Sequence, residues 1–445
     1  MVDSTINLVL TLQKFYVVIE SMTEDFLKYI WLHRLFLPET SYTTEKEQVE
    51  ILVTGQHNTD SGPDFINARV RIGDTFWAGC VEIHIQASDW ERHGHNADPA
   101  YNSVILHVVY NQDADAFNAN RQKIPAMELH FDSRYYETYN RLVDSKERIA
   151  CQDDIGKIDE FSLIAWLERL TIERLEQKAE AIMRDYAATD NDWEETLYRQ
   201  LARNFGFSLN ALPFELLAKS LPLKILLKHK DNLLQLEALL FGQAGMLADE
   251  KITDTYFVDL RKEYLFLQKK YSLQPVDRYF WKFLRLRPIN FPSLRISQFA
   301  CLIFQNANLF SQIIETESVD SLEKLFDLKA SAYWDDHYVF GKESPKRNKS
   351  LGKSATQTIF INTVAPFLFV YGKARGNDIF CSRALSILEN LPAEKNTIVK
   401  KWEELKVRNS NAFTSQSLLQ LNNTYCQPKR CLHCAIGNRI VRSCI

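Results

Sequence analysis

The sequence predicts an α+β fold in three parts: a mixed α/β unit at residues 22–150, a mainly helical domain at residues 151–420 and a cysteine-rich tail at residues 421–445. Three observations predict it. Apolar and polar residues alternate through the first part, as they do in half-buried strands. Helical periodicity dominates the second part, where prolines separate the helices. Four of the eight cysteines stand in the last twenty residues.

The α/β unit begins with a predicted helix at residues 23–37, with Thr23 as its cap and Pro38 after its end. Strands are predicted from alternating or continuous apolar runs at residues 49–53, 68–72, 75–86, 104–110 and 126–131. Gly73-Asp74 predicts a hairpin between the second and third of these strands. The fourth is almost wholly apolar, which is typical of a strand at the buried centre of a sheet.

The helical domain begins with two long periodic segments, at residues 161–185 and 190–204. Eight or more helices are predicted up to about residue 330, and a basic loop follows at residues 341–352. Basic loops can bind phosphate groups by charge alone, so this loop is the predicted nucleic-acid contact. Its basic residues are Lys342, Lys346, Arg347 and Lys349, and Lys353, Arg285, Arg287 and Arg295 add charge. The alternative is an ordinary solvated surface loop.

Composition limits the class of protein. A chain of 445 residues is too long for one small core, and its net charge of -4 provides no global attraction to nucleic acid. No run of about 18 apolar residues occurs, so no membrane span is predicted. The cysteines do not form the pattern of a secreted disulfide scaffold, which predicts a cytoplasmic protein. Residues 1–21 carry no secretory signal and are interpreted as an upstream-start extension.

Two acidic residues stand where a divalent metal could be held. Asp64 follows the turn Gly62-Pro63, and Glu82 lies inside an apolar alternating run. If the two strands form a hairpin, the carboxylates become neighbours and supply the hard oxygen ligands that Mg²⁺ or Mn²⁺ prefers. His84 returns to the same strand face as Glu82. The alternative is that Asp64 caps a turn and Glu82 faces solvent.

This arrangement resembles the PD-(D/E)XK nuclease superfamily, through Pro63-Asp64 and Glu82-Ile83-His84. The resemblance implies a restriction-endonuclease-like unit in which Asp64, Glu82 and His84 are catalytic and the first two bind Mg²⁺ or Mn²⁺. Histidine stands at position 84 where the superfamily has lysine. Because histidine is mostly neutral at pH 7, the electrostatic role of that lysine is in doubt. Glu24, on the first helix, is a candidate for a further acidic member.

A second candidate ligand pair is His93 and His95, with Asp98 nearby. Two histidines one residue apart, with a carboxylate, can bind Zn²⁺ or Mn²⁺. The alternative is a solvated loop. His107 lies in an apolar strand and is interpreted as a hydrogen-bonded core residue rather than a ligand.

The tail contains the sharpest local motif, in which Cys426, Cys431 and Cys434 follow the spacing C-x₄-C-x₂-C. Thiolates at this spacing can bind one metal ion or cluster. The fourth ligand is Cys444, His433 or a distant cysteine, and Cys151 is favoured. Zinc is one expectation. A [4Fe–4S] cluster is the other, because the motif resembles the arrangement in iron–sulfur members of the same nuclease superfamily. Ordinary reduced thiols are the alternative.

From Met22 onward the chain also resembles an uncharacterised bacterial family, a domain of unknown function. The resemblance rests on short motifs at residues 62–65, 81–84, 88–90, 93–95 and 431–437. It covers nearly the full length and implies a bacterial cytoplasmic protein with no implied activity.

Three functions remain open from the sequence. The first is a metal-dependent nuclease with DNA as its partner. The second is a non-catalytic nucleic-acid or protein-binding module on a decayed nuclease fold, which the histidine at position 84 favours. The third is a metal hydrolase of another substrate that uses His93 and His95. The oligomeric state is not predicted.

Overall fold

The structure is a computed structural model that describes residues 22–306 and 308–444. It confirms the predicted α+β fold, with a mixed sheet in the N-terminal part and mostly helices after it. The chain divides into two compact units. The α/β unit comprises the described residues up to Leu163 together with those from Asn423 onward, and the helical unit comprises Ile164–Asn422. The tail predicted as a third part thus folds with the α/β unit. The predicted extension at residues 1–21 lies outside the described residues.

Within the described part of the α/β unit, six strands form one sheet. They are β1 (Val49–Val53), β2 (Gln56–His57), β3 (Phe65–Ile72), β4 (Thr75–Gln86), β5 (Val104–Asn111) and β6 (Ala126–Glu128). The order is β1-β3-β4-β5-β6, and β2 also pairs with β3. Pairing is antiparallel between β3 and each of β1, β2 and β4, and parallel from β4 to β5 and from β5 to β6. β4 is therefore the strand at which the sheet changes from antiparallel to parallel.

The hairpin between β3 and β4 forms where Gly73-Asp74 predicts it. Ile72 pairs with Thr75, and Gly73 has a φ of 55°, which suits a tight turn. The first half of β4 is exposed, whereas residues 81–84 are buried. Burial is expected for Val81 and Ile83 because they are apolar. Glu82 and His84, which alternate with them, are buried as well. Those residues form part of the site described below.

Helix α1 (Glu24–Leu32) packs against β4. Its cap is Thr23, whose hydroxyl accepts a hydrogen bond from the Phe26 N–H at 3.3 Å. The helix ends at Leu32 instead of continuing to residue 37, because Arg34 adopts a left-handed backbone conformation with a φ of 52°. Short α2 (Asp89–Arg92), α3 (Ser133–Val143) and C-terminal α18 (Ala435–Arg442) complete the α/β unit, and α18 packs against α3.

The helical unit is built from helices of mixed length around an aromatic core. They are α4 (Glu160–Ala188), α5 (Trp193–Phe205), α6 (Phe207–Ser220), α7 (Leu223–Leu227), α8 (Leu233–Gln243), α9 (Thr255–Tyr271), α10 (Pro292–Gln305), α11 (Leu309–Glu315), α12 (Val319–Leu325), α13 (Lys353–Ile359), α14 (Ala365–Arg375), α15 (Asp378–Asn390), α16 (Thr397–Glu404) and α17 (Ala412–Gln420). Phe205 and Phe214 each pack a ring against Phe299 in the core.

A hairpin of β7 (His337–Val339) and β8 (Lys342–Glu343) extends into the segment predicted as a flexible basic loop. No helix in the described part of the chain combines the length and the apolar character that a membrane span requires.

Candidate metal centre

Asp64 and Glu82 are neighbours across β3 and β4. Phe65, which follows Asp64, pairs with Val81, which precedes Glu82. The Asp64 N–H donates to Oε2 of Glu82 at 2.9 Å, and the Ile83 N–H donates to Oδ2 of Asp64 at 3.0 Å. The Glu82 carboxylate therefore binds the backbone of Asp64, and the Asp64 carboxylate binds the backbone of Ile83, next to Glu82.

Lys28 of α1 joins this pair and is the residue that sequence reasoning missed. Its Nζ lies 2.6 Å from Oδ1 of Asp64 and 3.8 Å from Oε2 of Glu24. Burial by itself would lower the pKa of Lys28, but the Asp64 carboxylate and then Glu24 raise it above its ordinary value. Lys28 therefore stays charged. Lys28 could have been identified in the sequence from its i,i+4 spacing to Glu24 on a helix whose other face is apolar.

The pKa of the Asp64 carboxyl group is raised, in the first place by burial and then by the nearby Glu82 carboxylate. Lys28 and the Ile83 N–H oppose this shift because both stabilise the charged form. Asp64 is therefore a carboxylate whose proton affinity exceeds that of an exposed aspartate.

His84 lies on the same face of β4 as Glu82, and both side chains are buried. The His84 Nε2 atom is 3.6 Å from Oε1 of Glu82. Burial lowers the pKa of His84 to about 2, and the adjacent His107, His95 and His93 add to the shift. The imidazole is thus neutral at pH 7. It cannot supply the positive charge of a lysine, but its lone pair is available to a metal ion.

The loop after α2 directs two further histidines toward β4. The His93 N–H donates to the Asp89 carbonyl at 2.9 Å, and the His95 N–H donates to the Trp90 carbonyl at 3.1 Å. Gly94, between the two histidines, has a φ of 77°, which residues with a Cβ rarely adopt. This turn allows both imidazoles to face the same strand.

The three imidazoles converge with one carboxylate. His93 Nδ1 is 3.2 Å from His84 Nε2, and His95 Nε2 is 3.4 Å from Oε1 of Glu82. One ligand atom from each of His84, His93 and His95 lies within 4.8 Å of the other two. The His95 ring stacks on Tyr101 with 3.7 Å between centroids. Glu82, His84, His93 and His95 are hereafter called the histidine centre.

His107 of β5 orients the histidine centre from behind. It is fully buried, and its Nε2 is 2.9 Å from Nδ1 of His84. A metal ion on Nε2 of His84 requires the proton to be on Nδ1, where it can be donated to His107. Burial lowers the pKa of His107 to about 3, so it is neutral and can accept this hydrogen bond. His107 is thus a hydrogen-bonded core residue, and it touches a candidate ligand.

The donor set favours a transition ion over Mg²⁺. Imidazole nitrogen suits Zn²⁺ and other first-row ions, whereas Mg²⁺ prefers carboxylate, carbonyl and water oxygens. The sequence predicts a centre at Asp64 and Glu82, with His93 and His95 as a separate pair. The geometry instead groups Glu82 with the histidines and pairs Asp64 with Lys28. His93 is exposed, whereas His84 and His95 are buried, so the centre opens to solvent on the His93 side.

Asp98 does not join the histidine centre, because its carboxylate accepts a hydrogen bond from the Ala100 N–H at 2.9 Å as a cap.

The basic residues predicted to contact nucleic acid have different environments within the helical unit. Lys342, Lys346 and Arg347 are exposed. Lys349 is fully buried, with its ammonium group 3.4 Å from the centroid of the Tyr338 ring. The prediction that Lys349 contacts nucleic acid is therefore wrong, because its side chain is packed inside the fold. Arg295 is also buried and bonds to Gln298 and Asn290.

The cysteine motif lies in the α/β unit. Cys431 and Cys434 are buried and Cys426 is half-buried. All eight cysteines fall in the described residues, and none forms a disulfide. Cys151 is also buried, and Lys429 of the tail bonds to the segment before it, at Ser145 and Glu147. The Cys444 thiol bonds to the Val441 carbonyl.

Comparison with known proteins gives one match. A search of curated proteins and a search of solved structures each returned no match. A family model described as "Protein of unknown function (DUF2851)" matches residues 24–397, and this match confirms the predicted resemblance to a domain-of-unknown-function family over those residues. The predicted motif at residues 431–437 lies outside the match. Because it spans well over half of the sequence, the chain belongs to the DUF2851 family.

Proposed function

We propose that the α/β unit is a metal-dependent hydrolase of phosphodiester bonds, a nuclease with DNA as its substrate. The observation that carries the proposal is the convergence of Glu82, His84, His93 and His95 beside the Lys28–Asp64 ion pair. Burying polar groups costs folding free energy, so a cluster of imidazoles and carboxylates around one strand is better explained by a ligand than by stability.

The histidine centre supports binding of Mn²⁺ or Zn²⁺. A bound ion would polarise a phosphoryl oxygen and lower the pKa of a coordinated water molecule. The chain's own contribution is to hold three imidazoles in position. His107 fixes the tautomer of His84, and Tyr101 fixes the ring plane of His95 by stacking.

Lys28 supports phosphodiester chemistry in particular. A phosphodiester gains negative charge as water attacks phosphorus, and an ammonium group beside the reacting atoms stabilises that charge. The resembling superfamily carries its lysine two residues after the strand carboxylate, where this chain has His84. We assign that electrostatic role to Lys28, which reaches the carboxylate cluster from α1.

Asp64 is our candidate for the group that accepts the water proton. Its raised pKa makes it a stronger base than an exposed aspartate, and it adjoins Glu82 of the histidine centre. In the proposed step, the water oxygen bonds to phosphorus and the bond from phosphorus to the leaving oxygen breaks. The water proton passes to Asp64, and the leaving oxygen takes a proton from solvent.

A cleavage assay tests the proposal. Metal-depleted full-length protein is incubated with single-stranded DNA, duplex DNA or RNA, and Mn²⁺, Zn²⁺ or Mg²⁺ is added separately. We expect cleavage with Mn²⁺ or Zn²⁺ that falls by at least about 100-fold in His93→Ala with His95→Ala and in Lys28→Met. His130→Ala is the matched control, because His130 is half-exposed in the same unit and lies outside the histidine centre.

Two results would count against the nuclease. Cleavage that survives replacement of both His93 and His95 would show that the active centre lies elsewhere. Metal binding without cleavage of any nucleic acid would favour the non-catalytic binding module, or a hydrolase of another substrate. The hydrolase of another substrate is our alternative proposal, because the three imidazoles of the centre match the three protein ligands that are typical of catalytic zinc sites.

We also propose a reducing, cytoplasmic location. It is supported by the absence of disulfides among the eight cysteines, all of which are described.

A further inference from the structure

The cysteine motif of the tail shares no residue with the histidine centre, and tight backbone turns carry its three cysteines. Cys426 ends a π-helical segment, Leu421–Cys426. The Lys429 N–H donates to the Cys426 carbonyl at 3.2 Å, and the Cys434 N–H donates to the Cys431 carbonyl at 3.3 Å. Cys434 then caps the N-terminus of α18. Two tight turns of the backbone thus lie between Cys426 and Cys434.

A second observation is that α18 packs closely against this turn. Gly437 lies so close to Cys431 that a Cβ built on the glycine would be 2.3 Å from the Cys431 carbonyl oxygen. No side chain can be accommodated there without a shift of backbone. The turn that carries the thiols is therefore packed tightly against the helix that follows it.

The segment that leads to Cys151 contacts the cysteine turn from a distant part of the sequence. Lys429 Nζ donates to the Ser145 carbonyl at 2.7 Å and to the Glu147 carbonyl at 3.3 Å, which attaches the cysteine turn to the segment before Cys151. Helix α3, which leads into that segment, packs against the turn Cys431–His433. The pKa of the Cys151 thiol is raised to about 12 by burial, and Cys434 and Cys431 are its next largest influences.

The other two candidate ligands lie elsewhere. The Cys444 thiol donates to the Val441 carbonyl at 2.9 Å and sits near Tyr135. The His433 side chain is exposed, unlike those of the buried Cys431 and Cys434.

We propose that Cys151, Cys426, Cys431 and Cys434 bind one thiophilic metal centre, a Zn²⁺ ion or an iron–sulfur cluster, which fastens the C-terminal tail to the α/β unit. Cys151, Cys431 and Cys434 are buried and Cys426 is half-buried, and a thiol gains little from protein partners because it is a weak donor and a weak acceptor. A metal centre gives them strong bonds. Lys429 adds positive charge beside Cys426 and Cys431, which offsets the excess negative charge of four thiolates.

Metal analysis of the full-length chain tests this inference. The protein is purified without oxygen in the His93→Ala, His95→Ala background, so that any metal found does not belong to the histidine centre. We expect about one zinc per chain, or about four irons with matching acid-labile sulfide and visible absorption. Zinc and iron–sulfur thus give different readouts of the same site.

Variants with and without an expected ligand complete the test. Cys151→Ser and Cys431→Ser should each reduce bound metal at least about fivefold, and Cys444→Ser, the matched control from the same tail, should keep it. Cys151→His should recover zinc if zinc is the native ion, since imidazole is also a zinc ligand. Far-ultraviolet circular dichroism identifies any variant that has not folded.

Two outcomes would overturn the inference. One is metal-free protein from the anaerobic preparation. The other is a folded Cys151→Ser variant that keeps as much metal as Cys444→Ser. Neither outcome depends on nuclease activity, so failure here is distinguishable from failure of the proposed function.

Discussion

The histidine centre and the proposed cysteine site, which consists of Cys151, Cys426, Cys431 and Cys434, lie in the same unit. They are nevertheless assembled in opposite ways. The ligands of the histidine centre come from β4 and the loop that follows it, between Glu82 and His95. The cysteine site needs Cys151 to meet the tail, where Lys429 and its partner Ser145 are separated by 284 positions. The histidine centre is built from residues that are close in sequence and is supported by more distant ones. The cysteine site forms only when two segments that are far apart in the sequence come into contact.

This difference predicts that removal of a ligand has different consequences at the two sites. Loss of a ligand from the histidine centre should change binding and activity while the sheet remains, because the backbone of β4 is held by its strand partners. Loss of a ligand from the cysteine site should release the tail and lower the stability of the unit.

The largest expected effect is on stability. Cys431→Ser removes a proposed metal ligand, and structural metal sites contribute directly to folding free energy. We expect the free energy of unfolding of the α/β unit to fall by about 3 kcal/mol or more. Chemical denaturation followed by circular dichroism measures it, with Cys444→Ser as control. Equal stability of the two variants would remove the contrast between the sites.

The second expected effect is on metal affinity. His93→Ala with His95→Ala removes two of the three imidazoles, and we expect the affinity for Mn²⁺ or Zn²⁺ to fall at least about 100-fold. The free energy of unfolding of the metal-free protein should change by less than about 1 kcal/mol for His93 alone, because that side chain is exposed. Calorimetric titration and denaturation measure the two quantities. A stability loss as large as that of Cys431→Ser would contradict the local assembly of the histidine centre.

A smaller effect is expected from the support behind the ligands. His107→Leu removes the acceptor for Nδ1 of His84 and should weaken metal binding by about 10- to 100-fold. His107→Gln can restore an acceptor oxygen and should recover most of the affinity. If Gln and Leu at position 107 behave alike, then His107 acts only through packing, and the proposed tautomer control is wrong.

The last expected effect is on the pH dependence of stability, and it is small per pH unit for each histidine. The folded pKa of His84, about 2, and that of His107, about 3, lie below the ordinary value of 6.5. Between the folded and the ordinary pKa values, these two histidines bind protons in the unfolded chain but not in the folded chain. The stability that they contribute therefore falls as pH decreases below 6.5 and is unaffected above it. The slope should reach about 1.4 kcal/mol per pH unit for each histidine. Denaturation of metal-free protein at pH 7.5, 6 and 5 measures it, and a slope unchanged in His84→Gln would contradict the assignment.

The strands around the site were predictable because side-chain direction alternates along a strand. The pattern of residues 75–86 places Glu82 and His84 on one face, and Gly73-Asp74 indicates the hairpin to β3. The end of α1 was not predictable, because nothing in the composition of the helix announces the left-handed conformation of Arg34.

The residues that complete each site come from other elements. Lys28 reaches Asp64 because α1 packs on β4, and His107 reaches His84 because β5 pairs in parallel with β4. The parallel pairing cannot be derived from the pattern of either strand. Lys349 shows the reverse case, where a basic residue in a basic loop is buried by the hairpin next to it.

The sequence by itself determined the α+β class, the strand that carries Glu82 and His84 and the clustering of three cysteines in one turn. These follow from periodicity and spacing, which act between near neighbours in the chain. Only the tertiary structure decided that Glu82 joins the histidines, that Asp64 pairs with Lys28 and that Cys151 lies with the tail. Such contacts depend on which distant surfaces bury each other, because apolar burial is proportional to area and has no direction of its own.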